Sequence, residues 1–99
     1  MNNMHKLISD AEKKFEKFKA QENWAETNAS KAYLSAAQTY AQFGDNPVAL
    51  EMFSTLATRN LEEAIEKEEY GDAAYWRSYM SGWMFAETSY RLDELESVK

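Results

Sequence analysis

The chain has 99 residues, of which 44% are hydrophobic and 14% aromatic, with one histidine, no cysteine and a net charge of −6. That length suits a single domain, which can bury roughly 65% of the surface its unfolded chain exposes. Zero cysteines exclude disulfides, thiolate zinc sites and iron–sulfur clusters. One histidine excludes the paired Glu-x-x-His motif of di-iron bundles and most zinc sites, and the acidic balance argues against nucleic acid or an anionic membrane as a direct partner.

Three glycines and one proline are few punctuating residues, so long uninterrupted elements are expected. Met4, Leu7, Ile8, Ala11, Phe15 and Phe18 recur by threes and fours, the spacing of one helix face, opposite Lys13, Lys14, Glu16, Lys17 and Lys19. The helix can start near Met4, or at Ser9, where Ser9-Asp10-Ala11-Glu12 has capping-box spacing. A second stripe follows as Ala25, Ala29, Ala32, Tyr33, Ala36, Ala37, Tyr40 and Phe43, small enough for another helix to come close. Asn23 and Glu26 have the spacing of a fresh cap. The apolar phase nevertheless carries through Glu22, so residues 4–43 read either as one helix or as two broken near Glu22–Trp24, and the break is preferred.

Gly44-Asp45-Asn46-Pro47 is the clearest boundary. Gly44 suits a left-handed helix end, Asn46 an N-cap and Pro47 the first helical position, where no amide donor is needed. The third helix is expected to bury Leu50, Phe53, Leu56, Ala57, Leu61, Ala64 and Ile65 and to end at Tyr70-Gly71. Asp72 would then cap a last helix running to about Glu96. No segment alternates with period two, so strands are not expected. The fold class is all-α, a single domain of three to four antiparallel helices with tight turns near Gly44 and Gly71.

Within Ala32–Thr58, Tyr33, Ala36, Ala37 and Tyr40 precede Gly44-Asp45, and Ala49, Phe53 and Leu56 follow. This stretch resembles one tetratricopeptide-repeat (TPR) unit. Gly71-Asp72 comes 27 residues after the first Gly-Asp, not the repeat's 34, and Trp76 stands at a small-residue position, so no tandem array is expected. The resemblance implies a TPR-like hairpin inside a bundle, and with it protein binding.

Catalytic constellations are not found: the chain has no phosphate-binding glycine loop, no G-x-S-x-G and no H-E-x-x-H, and His5 reads as a surface residue. No enzymatic activity, metal or cofactor is expected. The N-terminal residues lack the apolar run of a secretory leader and no stretch is long enough to span a bilayer, so a cytoplasmic protein is expected.

Two surfaces stand out. Residues 47–71 carry six acids against two bases, and Glu62, Glu63, Glu66 and Glu69 form an acidic surface in which Glu62, Glu66 and Glu69 share a face if the helix continues. The cluster reads either as a solvated helix face or as a contact surface that would attract a basic protein. In the last helix, at about 100° per residue, Tyr75, Trp76, Tyr79, Met80, Trp83 and Tyr90 form one broad arc, which Met84 and Leu95 extend. Phe85 and Leu92 fall roughly opposite, among Ala74, Ser78, Ser81, Gly82 and Ser89. A helix apolar on both sides is covered on both sides, either as a central helix wrapped by the other three or with one side at an interface. Tyr75, Trp76, Tyr79, Trp83, Phe85 and Leu92 are therefore the candidate partner-binding residues, with a homodimer the simplest contact. The expected function is a non-enzymatic protein–protein interaction module. The alternatives are a phage-type acidic inhibitor that imitates DNA and blocks an anti-phage restriction or CRISPR enzyme, and a structural subunit of an assembly.

Overall fold

The computed structural model describes residues 2–98. Four helices follow one another: α1 (Asn2–Ala20), α2 (Trp24–Phe43), α3 (Pro47–Glu66) and α4 (Tyr70–Ser97), with no strand among the described residues. No helix among them is long and apolar enough to cross a membrane.

Local chemistry accounts for two of the three turns. The chain breaks at 21–23, so residues 4–43 form two helices. Asn23 accepts a hydrogen bond from the Glu26 amide at 3.3 Å, and Glu22 takes the left-handed conformation at φ 55°. At the next turn Asn46 accepts from the Ala49 amide at 3.1 Å and Pro47 opens α3. Gly44, however, is right-handed, with φ −56°. It is small for a steric reason: a Cβ there would lie 2.3 Å from the Tyr90 ring. The third turn falls at 67–69, just ahead of Gly71. Glu68 is its left-handed residue, at φ 57°, and the amide of Glu69 donates to the Ala64 carbonyl at 2.8 Å. Gly71 and Asp72 belong to the first turn of α4, and Glu69, not Asp72, is its N-cap. Helix α1 begins at Asn2, which puts Ser9 inside it.

Helices α2 and α4 form the centre. They come close at Gly82, where an added Cβ would meet the Tyr33 carbonyl oxygen at 2.5 Å. Complete or near-complete burial is confined to the alanines that line this crossing and its surroundings: Ala32, Ala36, Ala37, Ala57 and Ala86. Trp83 fills the space beside them, with its ring 5.0 Å from Tyr40, 6.2 Å from Tyr79 and 6.5 Å from Phe53. One cluster thus joins Met4 of α1, Tyr40 of α2, Ala57 of α3 and Trp83 of α4. Helices α1 and α3 do not touch each other, and within the TPR-like stretch α2 and α3 meet little, each packing chiefly on α4.

The resulting slab measures 47 × 32 × 15 Å between Cα extremes. Its accessible surface is 6830 Å², against about 5,800 Å² for a compact monomer of this mass. The thinness explains two departures in α3. The buried face centres on Phe53, Ala57 and Ala64, and Leu56 and Ile65 sit about 90° to either side at 3.6 residues per turn. A flanking helix covered from one direction leaves those edges open, and the two residues are 51% and 45% exposed.

The start of α1 is held from a distance. The Asn3 and Met4 amides donate to the Asp93 carboxylate at 2.9 and 3.0 Å. The Asn3 side-chain amide donates to Asp93 at 3.0 Å and to Glu96 at 3.1 Å. Free amides and the positive end of a helix dipole favour an anion there. Desolvation alone would push the Asp93 carboxyl up, but the hydrogen bonds it accepts, those from Met4 and Asn3 among them, outweigh this and hold it well below the usual carboxylate range. A depressed folded-state pKa contributes stability that is whole above the unfolded value of about 4 and is lost as the pH falls through and below it. Asp93→Asn should therefore lower the melting temperature at pH 7, and the gap to wild type should narrow at pH 2. Thermal melts followed by circular dichroism at the two pH values check this. An equal gap at both would show that the carboxylate charge is not what matters.

Candidate functional site: the outer face of α4

The candidate residues on α4 divide between two sides. Tyr79 and Trp83 are buried, at 8% and 6% exposure, and so belong to the core and not to a contact surface. Tyr75 and Trp76 are half-buried, their rings edge-on at 5.1 Å, with Trp76 5.3 Å from Tyr79. Phe85 and Leu92 remain exposed, at 57% and 44%. Met84 and Leu95, expected to extend the aromatic arc, are exposed as well, at 66% and 61%. The reason is rotational: both lie about 130–150° around the helix from the Tyr79–Trp83–Ala86 side. Gly82 departs the other way, turning toward α2 and not toward the face of Phe85 and Leu92.

Met84, Phe85, Thr88, Leu92 and Leu95 thus make one continuous exposed stripe along the second half of α4. At its upper end Phe85 rests against Tyr33, 6.2 Å between centroids and tilted by 37°. The two rings border an open groove of about 640 Å³ between α1, α2 and α4, which Leu7, Ser78 and Ser81 also line. Exposed Asp10, Lys14 and Glu26 supply its charges. Burial raises the Tyr33 hydroxyl above its ordinary pKa, so it stays a neutral hydrogen-bonding group. Beside the stripe Arg91 pairs with Glu87 at 3.0 Å, the i,i+4 contact their spacing predicts.

A second apolar strip lies on α3, where Val48, Met52 and Leu56 are 79%, 58% and 51% exposed at successive spacings of four. It is shorter, because Arg59, Glu62 and Glu63 continue the same face. Sequence reasoning missed it by assigning Leu56 to the core.

The acidic surface is less regular than helical spacing implied. Glu62, Glu63, Glu66 and Glu69 are all exposed, but α3 ends at Glu66 and the left-handed Glu68 breaks the phase. Glu69 therefore does not continue the Glu62–Glu66 face. Glu63 bonds Lys67 at 2.7 Å, and that hydrogen bond and charge lower its pKa. Regular spacing, which imitation of DNA phosphates requires, is absent from this cluster. Among the described residues no three histidine, aspartate or glutamate side chains converge as metal ligands, and His5 lies exposed on α1.

Together these features define a small all-α bundle, flat in section, with an uncovered apolar seam on its longest helix. No family model matches the chain, and neither the curated proteins nor the solved structures give a match.

Proposed function

We propose that the chain is a non-enzymatic protein–protein interaction module of the cytoplasm, acting through the outer face of α4. The observation that carries this reading is the exposed stripe Met84, Phe85, Leu92 and Leu95. Single exposed apolar residues are ordinary on protein surfaces, but a contiguous run on one helix marks a surface that another molecule covers. Aromatic residues and methionine are among those enriched in such contacts, and Phe85 and Met84 supply them here. The neighbouring groove offers room beside Phe85 for a side chain of the partner.

The test is the double substitution Phe85→Glu and Leu92→Glu, compared with wild type as immobilised bait in lysate, with bound proteins identified by mass spectrometry. Both positions are exposed, so the variant should keep the helical spectrum and melt near the wild-type temperature. It should lose most of the captured protein. An unchanged set of captured proteins would remove α4 as the binding face. An unfolded variant would place Phe85 and Leu92 in the monomer core.

A further inference from the structure

Resting on the reading of α4 as a binding face, we propose that its occupant is a second copy of this chain and that the two α4 helices pair in parallel along residues 85–95. Three observations point to this occupant. The first is spacing. Phe85, Thr88, Leu92 and Leu95 alternate by three and four, the repeat with which two helices mesh side by side. All four are exposed in the single chain. A two-fold contact is self-complementary, so one seam serves both partners. The α3 strip lacks this repeat, stepping by four at Val48, Met52 and Leu56 before it turns polar.

The second observation is charge. Arg91 flanks the seam on one side and Glu96 on the other, in the positions whose pairing across two helices sets orientation. In a parallel pair Arg91 of each copy stands across from Glu96 of the other, giving two attractive contacts. In an antiparallel pair that sets Phe85 opposite Leu95, the two Arg91 side chains meet near the axis and repel. Both groups are available: the Arg91 side chain is 70% exposed even with Glu87 beside it, and Glu96 is exposed. The third is area. The chain exposes 6830 Å², about 1,000 Å² beyond a compact monomer of its mass. A standard interface buries about 800 Å² on each partner, so the excess matches what one such contact covers.

The experiment is sedimentation equilibrium on wild type, R91E, E96R and an equimolar mixture of the two variants. Wild type should sediment as a dimer. Each variant alone places like charges across both flanks, and its dissociation constant should rise about tenfold or more. The mixture should regain wild-type affinity. In the mixed dimer the R91E chain carries an acid at both flanking positions and the E96R chain a base at both, so each flank again pairs opposite charges. Circular dichroism confirms folding first, since Glu96 also accepts a hydrogen bond from Asn3. Should E96R not fold, R91E alone decides, by weakened or unchanged association. Unchanged dimers in R91E, or variants that weaken without rescue in the mixture, would overturn the parallel pairing. A wild type that stays monomeric at millimolar concentration overturns the second copy as occupant. The binding face itself then stands if capture from lysate still depends on Phe85 and Leu92, and fails if it does not.

Discussion

Gly82→Ala is expected to destabilise the protein, although alanine is the better helix former. Intrinsic propensity alone favours the alanine by about 1 kcal/mol in a helix interior. Packing opposes it. The added Cβ would lie 2.5 Å from the Tyr33 carbonyl oxygen and 2.9 Å from the Tyr33 Cα, both backbone atoms that no side-chain rotation can move. Helices α2 and α4 would have to separate, loosening the contacts of Ala32, Ala36 and Ala86, which have no exposed surface. Overpacking of this kind costs about 1–3 kcal/mol, and at a backbone-to-backbone contact the upper part of that range applies. The net loss should be about 1–2 kcal/mol. Gly71→Ala is the matched control: nothing lies within 4 Å of its added Cβ and its φ is not positive. It should be stabilising by about 0.4–1 kcal/mol. Urea denaturation of the two variants reads both signs. If both were stabilising, the α2–α4 crossing would be wider than described.

Trp83→Ala should have the largest effect of any single truncation, about 3–5 kcal/mol. The indole is 6% exposed and is ringed by Tyr40, Tyr79 and Phe53 from two other helices and its own. The rest of the core is mostly alanine, with little side-chain volume able to relax into the gap. Natural domains are stable by only about 5–15 kcal/mol, so the variant should unfold at low urea or at room temperature. Trp24→Ala, at a tryptophan 63% exposed, should change stability little. A mild effect at Trp83 would mean that the four helices are not joined through it.

Cap chemistry was legible in the chain because it is local. Asn23 and Asn46 act within three residues of themselves, and Pro47 fixes its own φ. The third turn was misplaced because its left-handed residue is Glu68, which carries no sequence signal, whereas Gly71 carries a strong one and is helical. Residues of α2 sorted correctly where they sit near the middle of the buried arc, as Ala36 and Tyr40 do. Leu56, Ile65, Met84 and Leu95 lie at or beyond its edge, and whether an edge residue is covered depends on how many helices surround it. That is a property of the flat arrangement, not of any one helix. The clasp between Asn3 and Asp93 was invisible for the same reason, since its partners are 90 positions apart. Periodicity set Phe85 and Leu92 opposite the aromatic arc of α4, but the core side had to be known before Tyr79 and Trp83 could be removed from the candidate contact residues.

The central proposal is that a second copy of this chain covers the outer face of α4. Backbone amide shifts in a series of ¹⁵N–¹H spectra recorded at rising protein concentration test it most directly. The account predicts concentration-dependent changes gathered on Met84, Phe85, Thr88, Leu92 and Leu95, with Val48, Met52 and Leu56 unmoved. Changes gathered on α3 instead, or spectra that do not change with concentration at all, would contradict it.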